Sequence, residues 1–386
     1  MTLEDLAKRL VADGVAPDVA VACAVRADPA RAGAGETTHT VGTPSSVEAR
    51  WRAEAAGATS LFFDLASLTK PFTAVAIAAA GINRGTPLGL LLPEAVGTPS
   101  ATLPLELFLS HRAGLEANRA LGPRVPARAA DALYRAVALR MAAAARRPDA
   151  VGDPPRDGFA PIYSDLGYIL AGEALARATG SRDAGDAIGR GVLEPLGLAG
   201  RMGARRELAA QGVSGPFAPT ETVPSRGGAV VGFVHDENAW ALTGEGGSGH
   251  AGLFGTVGAV LAFGTFVLDA LDGLPLAPRL ASFPDLQWLV RDRPGGALRA
   301  GFDGKSETGS SAGDRFGPRS FGHLGFTGTS LWIDPDAKIV VTLLTNRISL
   351  GRDNLAIRAA RPFAHGVLFD RARALEKSGG SAGFAE

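Results

Sequence analysis

The sequence predicts an α+β fold, in which an antiparallel sheet built from both chain ends is flanked by helices and a helical subdomain is inserted. Two observations support this prediction. Apolar runs with strand character lie near both termini, whereas the middle of the chain has helical spacing interrupted by Pro- and Gly-rich loops. A chain of 386 residues with 46% hydrophobic content can also bury a deep core and still form a cleft.

The elements are predicted in chain order. Residues 2–13 have the spacing of an amphipathic helix, and residues 17–26 and 36–42 have the pattern of two strands. The helical middle comprises residues 70–83, 103–111, 129–146, 165–179 and 257–272. The C-terminal elements are strands at 328–334 and 338–344 and a last helix at 353–376.

These elements suggest a division of the chain. Residues 1–66 and 316–377 would form the two parts of one α/β subdomain. Residues 67–315 would form a mainly helical subdomain together with the loops of the candidate site. Residues 378–386 would be a flexible tail.

Charge and composition exclude several kinds of partner. The 39 basic and 39 acidic residues balance, so the basic excess of nucleic-acid or anionic-membrane binders is missing. Cys23 is the single cysteine and lies in an apolar run typical of a core, which leaves no intrachain disulfide and no cysteine-based zinc site. There is no H-E-x-x-H pair either, and we expect neither a metal nor a cofactor. Because the sequence lacks a secretory signal pattern and an apolar stretch of 18 residues, we expect a cytoplasmic protein.

Two glycine-containing motifs match known signatures without the required context. Residues 309–313 fit the nucleophile elbow G-x-S-x-G, which would make Ser311 the nucleophile of an α/β-hydrolase, but loop-like sequence lies on both sides. Residues 244–249 fit G-x-G-x-x-G, yet the residues before them make a poor parallel strand. A glycine-rich loop is the favoured interpretation there.

Ser67 and Lys70 form the single S-x-x-K of the chain. At a helix start, residues i and i+3 share a face, so the lysine amine can reach the serine hydroxyl. A serine becomes a nucleophile when a neighbouring base takes its proton, and burial can lower the pKa of a lysine enough for that task. The alternative is a serine that caps the helix beside a solvated lysine.

Two further segments could complete such a site. Tyr163, one of three tyrosines, precedes a predicted helix, and a phenol whose pKa is lowered by an ammonium can shuttle a proton. His323 enters a strand near the C-terminus, where it could hydrogen-bond the phenol or a substrate carbonyl, and the strand edge could offer an N–H to an oxyanion. The alternative for Tyr163 is a core side chain followed by a helix cap. The alternative for His323 is a structural role.

Together, the three segments resemble the motifs S-x-x-K, Y-x-N and K/H-x-G of the serine β-lactamase and penicillin-binding-protein superfamily. In this sequence they are Ser67-x-x-Lys70, Tyr163-x-Asp165 and His323-x-Gly325. The closest similarity is to class C β-lactamases, family VIII carboxylesterases and D-Ala-D-Ala carboxypeptidases. Further family-like stretches lie at residues 109–115, 234–239, 249–255 and 344–347.

The resemblance implies a β-lactamase-like fold and a two-step acyl transfer through an ester of Ser67. The residues with implied catalytic roles are Ser67, Lys70, Tyr163 and His323. The backbone N–H groups of Ser67 and Phe326 would form the oxyanion hole. Asp165 and Gly325 would contact the substrate.

Two departures from the family motifs bear on the substrate. Asp165 replaces asparagine: it can accept a hydrogen bond from Lys70 but cannot donate an amide N–H to a substrate carbonyl. Leu324 replaces the Thr or Ser frequent in the third motif, which removes a hydroxyl that could bind a carboxylate, and His323 is a weaker cation than lysine. Both changes predict weak or absent β-lactamase activity.

The sequence therefore predicts a cytoplasmic serine hydrolase that acts on small esters or amides. One alternative is a β-lactamase or D-Ala-D-Ala carboxypeptidase, and another is a catalytically idle module that only binds ligand. The expected partner is a small-molecule ester, amide or β-lactam, with neither nucleic acid nor a membrane involved. The glycine-rich loop at 294–318 is expected to form part of the pocket rim.

Overall fold

The computed structural model describes residues 1–27, 50–121, 132–274 and 283–377. The strand expected at 36–42 and the tail expected at 378–386 lie outside these ranges. The described helices are α1 (Leu3–Ala12), α2 (Thr69–Ala79), α3 (Leu88–Leu91), α4 (Leu105–Leu109), α5 (Ala132–Ala144), α6 (Asp165–Ala178), α7 (Ala184–Ile188), α8 (Arg205–Ala210), α9 (Glu237–Thr243), α10 (Val257–Leu271), α11 (Phe283–Val290) and α12 (Ile357–Lys377). The described strands are β1 (Val19–Arg26), β2 (Trp51–Gly57), β3 (Phe63–Asp64), β4 (Met202–Ala204), β5 (Thr222–Val223), β6 (Gly228–Ala229), β7 (Leu253–Gly255), β8 (Asp303–Gly304), β9 (Phe321–Leu324), β10 (Ser330–Asp334) and β11 (Ile339–Thr345).

The main sheet joins the two ends of the chain. Within the described ranges it has six strands in the order β2-β1-β11-β10-β9-β8, and all neighbouring pairs are antiparallel. The central pair is β1 with β11, in which Val19 lies opposite Thr345 and Val25 opposite Ile339. The predicted α+β fold, with one sheet built from both termini, is confirmed.

Sequence patterns missed the strand at the sheet edge, β2. Its residues are mostly alanine, arginine and glutamate, which have low strand propensity, and its pairing with β1 overrides that preference. The structure also contains a small sheet in the order β3-β7-β4 that the patterns did not predict. Strands of two or three residues are too short to show an alternating pattern.

The main sheet has a hydrophobic core on each face, because successive side chains of a strand point in opposite directions. From β1, alternate alanines such as Ala22 enter the core beneath α10, whereas Val21, Cys23 and Val25 enter the core beneath α1 and α12. Cys23 is fully buried, and burial raises the pKa of its thiol, so the interpretation of this residue as a core side chain is confirmed.

The two rejected glycine motifs lie in loops, as expected. Residues 244–249 follow helix α9 rather than a strand, and residues 309–313 lie in the loop between β8 and β9. None of the helices in the described ranges combines the length and the apolar character needed to cross a bilayer.

Candidate active site

The small sheet holds Ser67 at the start of α2. Strand β3 ends at Asp64, whose carboxylate accepts the backbone N–H of Ala66 at 2.8 Å. Ala66 has a φ of 48°, a left-handed conformation that is strained for alanine, and a short 3₁₀ turn at Ala66–Leu68 then leads into the helix. Ser67 is thereby half-buried at the head of the helix, with its hydroxyl directed at Lys70.

Lys70 is fully buried and makes three hydrogen bonds through its amine. The Nζ atom lies 2.8 Å from Ser67 Oγ, 2.7 Å from Asp165 Oδ1 and 3.4 Å from the His250 carbonyl oxygen. Three acceptors satisfy all three N–H bonds of an ammonium. The predicted Ser67–Lys70 and Lys70–Asp165 contacts are confirmed, and the alternative of a solvated lysine is wrong.

Helix α6 positions Tyr163 and Asp165 on either side of its cap. The cap residue is Ser164, whose hydroxyl accepts the Gly167 N–H at 3.3 Å. Asp165 thus begins the helix and reaches Lys70, while the ring of Tyr163 lies 4.7 Å from Lys70 Nζ.

The expectation that the Lys70 ammonium lowers the pKa of Tyr163 is wrong. Burial raises the pKa of this phenol well above its usual value, and the Asp165 carboxylate raises it further, although a hydrogen bond with Ser67 acts in the opposite direction. The main reason is that burial penalises the charged phenolate, and the carboxylate that replaces asparagine repels it as well.

His111 is a residue of this site that sequence reasoning left without a role. Its Nδ1 accepts the backbone N–H of Ser164 at 3.0 Å, and its ring stacks on Tyr163 with a centroid separation of 4.7 Å. Burial lowers the pKa of His111 to about 3, with a further contribution from Lys70, so the ring is neutral and can serve as that acceptor. The family-like stretch at 109–115 was the available signal, but it did not indicate what the histidine contacts.

His323 lies beside Tyr163, with ring centroids 6.0 Å apart, and is buried on β9. Its Nδ1 is 2.8 Å from the Leu324 carbonyl oxygen, which assigns the ring proton to Nδ1 and leaves Nε2 as an acceptor. Nε2 has no partner among the described residues. Burial, with help from Lys70, lowers the pKa of His323 to about 3. His323 is therefore neutral, as befits a weaker cation than lysine, and it forms no hydrogen bond to the Tyr163 phenol. Its contact with a substrate carbonyl stays a prediction.

The loop after β9 is tied to the backbone that precedes Ser67. Thr327 Oγ1 donates to the Asp64 carbonyl at 2.7 Å, and Thr329 Oγ1 donates to the Leu65 carbonyl at 3.0 Å. A Cβ on Gly325 would lie 2.5 Å from that same Leu65 oxygen, so only glycine permits this approach.

This attachment places two backbone N–H groups on neighbouring segments. Neither the N–H of Ser67 nor that of Phe326 donates to an acceptor within the described part of the chain. The Phe326 side chain is exposed, and its ring stacks on His235 at 6.0 Å. Both N–H groups are thus available to an oxyanion.

The sequence analysis gave no role to a second group of residues, which contacts Lys70 and the turn before Ser67. The His250 ring is 2.8 Å from Asp236 Oδ1, the cap of α9, and its carbonyl is one of the Lys70 acceptors. Burial alone would raise the pKa of Asp236, but the facing His250 holds it well below the usual range. The neighbouring His235 N–H donates to the Asp64 carboxylate at 2.7 Å, which links this group to the turn before Ser67.

The loop expected at the pocket rim contributes a buried carboxyl. Burial raises the pKa of Asp303 to about 7, although Lys70 and Arg299 both favour its ionised form, and its Oδ1 has no partner among the described residues. Gly301 of the same loop packs on α2, where a Cβ would lie 2.4 Å from that of Ala74. Within the described ranges, no group of three metal-binding side chains is present.

Comparisons with known proteins were made by family model, by sequence and by structure. A family model described as Beta-lactamase matches residues 3–364. A search of curated proteins gave no match. Similar solved structures include a class C beta lactamase from Rhodobacter sphaeroides, with 16% identity and a TM-score of 0.61 over 95% of this chain and 98% of that one.

Two further structures have comparable similarity. A beta-lactamase from Mycobacterium bovis has 20% identity and a TM-score of 0.55 over 95% of this chain and 99% of that one. EstCE1, a hydrolase with promiscuous acyltransferase activity, has 18% identity and a TM-score of 0.60 over 93% and 97% of the two chains. At these identities the structures show a common fold. Because the family model spans nearly the whole sequence, the chain belongs to the beta-lactamase family.

Proposed function

We propose that the protein is a serine hydrolase that forms an acyl-enzyme on Ser67 and acts on small esters or amides. The observation that carries this proposal is the 2.8 Å hydrogen bond between the Ser67 hydroxyl and the fully buried amine of Lys70. A serine capping a helix for structural reasons would not need a buried cation as its partner.

The first step is acylation. Ser67 Oγ attacks the substrate carbonyl carbon and loses its proton to the Lys70–Tyr163 pair, and the oxyanion that develops accepts the N–H groups of Ser67 and Phe326. The bond to the leaving group then breaks, and the leaving group takes up the proton. In the second step, water adds to the Ser67 ester and gives up one proton, the acid departs, and Ser67 Oγ takes up that proton.

The electrostatics of the site predict an alkaline activity profile. Lys70 has an acceptor for each N–H of its ammonium, and the pKa of the Tyr163 phenol is raised. The phenol is therefore protonated in the resting site near neutral pH. We expect the rate to rise with pH as Tyr163 loses its proton.

Esters and simple amides are favoured over β-lactams as substrates. The carboxylate of Asp165 is engaged with Lys70 and offers no N–H to a substrate carbonyl. Leu324 lacks a hydroxyl, and His323 is neutral with its one N–H bonded to the backbone. These residues offer few donors to the carboxylate that β-lactam antibiotics and D-alanyl peptides carry.

The proposal is tested by p-nitrophenyl butyrate hydrolysis with the wild type, Ser67→Ala and Ser311→Ala, each checked for folding by circular dichroism. We expect activity to be lost in Ser67→Ala and retained in Ser311→Ala, whose side chain belongs to the rejected elbow motif. Labelling of the wild type by a fluorophosphonate, read by intact mass, should be absent in Ser67→Ala. Hydrolysis and labelling that persist in a folded Ser67→Ala would refute the role of Ser67.

The alternatives predict different results in the same assays. A β-lactamase would turn over nitrocefin at a rate comparable with the ester. An idle binding module would neither hydrolyse the ester nor be labelled, although its pocket would still bind ligand.

A further inference from the structure

A cavity outside the Ser67 site is lined by an unusual group of arginines. It lies between the end of α4, the loop at residues 156–157 and the C-terminal end of α11, and its volume is about 220 Å³. The arginines in its wall are Arg112, Arg156, Arg291 and Arg293. We call it the arginine cavity.

Arg112 is the buried cation of this cavity. It is 4% exposed, has no carboxylate within ion-pair distance in the described ranges, and its Nε has no hydrogen-bond partner there. One of its terminal nitrogens donates to the Pro294 carbonyl oxygen. A buried guanidinium with an unused donor is costly unless an anion neutralises it.

Arg293 and Arg291 add positive charge to the same space. Arg293 donates to the carbonyl oxygens at the end of α11, including that of Trp288 at 2.8 Å, and no described carboxylate bonds to it. Burial lowers the pKa of Arg293 to about 10, and repulsion by Arg291 and Arg112 contributes. Arg291 is exposed and stacks on Trp288 at 5.6 Å, without an ion pair among the described residues.

The carboxylates in the wall only partly balance these arginines. Asp292 is bonded to Arg299 at 2.6 Å, and Glu106 lies 3.7 Å from Arg84, so each already has a cation outside the cavity. Asp157 is the remaining carboxylate of the wall. Burial lowers the pKa of Arg112, and the charge of Asp157 acts in the opposite direction. The cavity wall therefore contains four arginines and one carboxylate, Asp157, that forms no ion pair among the described residues.

We propose that the arginine cavity binds a phosphate group, either as inorganic phosphate or as part of a small phosphorylated compound. Several guanidinium groups from three chain segments match a tetrahedral dianion better than a planar carboxylate with one charge. A volume of about 220 Å³ accommodates the phosphate and leaves little space for a large remainder.

The site adjoins the turn that positions Tyr163. Arg112 directly follows His111, which stacks on Tyr163 and accepts the Ser164 N–H. His111 has a φ of 60°, so this turn is conformationally constrained. Phosphate binding in the arginine cavity does not depend on the proposed function of Ser67.

Isothermal titration calorimetry of the full chain with inorganic phosphate tests the binding. We expect a Kd of about 1 mM or tighter for the wild type, weakened about tenfold in Arg291→Gln, whose exposed side chain can be changed without loss of folding. Asp157→Asn removes the competing carboxylate and should tighten binding several-fold. The matched control is Arg319→Gln, an exposed arginine paired with Asp336 elsewhere, which should bind as the wild type does.

Three results would overturn the proposal. The first is the absence of binding by the folded wild type at phosphate concentrations well above the expected Kd. The second is equal weakening by Arg291→Gln and Arg319→Gln, which would indicate nonspecific charge effects. The third is acetate binding as tightly as phosphate, which would contradict a site for a dianion. Because all three are read by calorimetry, they are independent of whether Ser67 forms an acyl-enzyme.

Discussion

Lys70 Nζ and Asp165 Oδ1 form a 2.7 Å ion pair at the centre of the candidate site, where the lysine side chain is fully buried. In the sequence resemblance, this carboxylate takes the place of the asparagine of the motif Y-x-N. An amide would be neutral and could also donate to a substrate, whereas Asp165 supplies a negative charge that favours an ammonium and disfavours a phenolate. The charge at this single position thus influences both groups proposed to move the Ser67 proton.

Asp165→Asn should therefore move the alkaline limb of the rate profile to lower pH, by about half to one unit. The carboxylate is one of the causes that raise the pKa of Tyr163, so its removal makes the phenolate accessible at lower pH. The measurement is the pH dependence of kcat/KM for p-nitrophenyl butyrate. The limb should vanish in Tyr163→Phe if the phenol is its source, and an unshifted limb in Asp165→Asn would contradict the electrostatic argument.

The second prediction concerns His111, for which two variants separate the effects of its two contacts. His111→Ala loses both the stack on Tyr163 and the acceptor for the Ser164 N–H, and an unpaired buried donor costs about 1–3 kcal/mol of stability. His111→Asn tolerates the left-handed backbone and can keep an acceptor, but it loses the ring. We expect kcat to fall about tenfold or more in both variants and the free energy of unfolding to fall mainly in the alanine variant.

The wild-type profile is part of the same test. Because the pKa of His111 is lowered to about 3, no ionisation of this ring should affect activity between pH 5 and 8. Urea unfolding and steady-state kinetics of the two variants separate stability from positioning. Unchanged kcat in a folded His111→Asn would mean that the stack does not position Tyr163.

The sequence was most informative where a short motif coincides with local helix geometry. The spacing of Ser67 and Lys70 on one helix start predicted their hydrogen bond, and the carboxylate at 165 predicted a bond to Lys70. The antiparallel sheet from both termini followed from long apolar runs, which carry a strong pattern.

The features of the site that were missed or wrongly predicted from the sequence depend on long-range packing. His111 and Tyr163 are 52 positions apart in the sequence, and only the fold brings their rings together. The pKa of Tyr163 was predicted with the wrong sign because burial is a property of the whole site and outweighs the nearby ammonium. Likewise, the proton on His323 is set by a backbone oxygen whose position no motif encodes.

His365 provides a prediction on stability that does not involve the active site. Its ring is fully buried, with Nδ1 2.6 Å from the Ser311 carbonyl oxygen and Nε2 2.8 Å from Ser330 Oγ. Burial lowers its pKa to about 3 from about 6.5 in the unfolded chain, so the native state binds fewer protons than the unfolded state between these values. The stability associated with a neutral His365 is complete above pH 6.5 and is lost as the pH falls towards 3.

Comparison with His365→Gln isolates this contribution from all other titrating groups. At pH 7 the wild type should be the more stable protein, because glutamine reproduces the ring's contacts imperfectly. The advantage should shrink by about 1.4 kcal/mol per pH unit between pH 6 and 4, since the variant has no ring to protonate. Urea unfolding at intervals across this range measures the difference, and a difference independent of pH would show that His365 titrates normally in the folded protein.

Gly325 leads to the last prediction, which concerns the attachment of the Phe326 loop to the turn before Ser67. An alanine Cβ here would lie 2.0 Å from Thr329 Oγ1 and 2.5 Å from the Leu65 oxygen, so Gly325→Ala must push the loop away from Leu65. We expect a loss of about 1–3 kcal/mol in the free energy of unfolding and at least a tenfold loss in kcat, because the Phe326 N–H moves relative to that of Ser67. The matched control is Gly258→Ala in α10, where the added methyl meets no atom within 4 Å and should leave kcat unchanged while stabilising the helix by up to about 1 kcal/mol. If Gly325→Ala lost stability but kept its kcat, the loop would be a structural contact alone, and Phe326 would no longer be a candidate for the oxyanion hole.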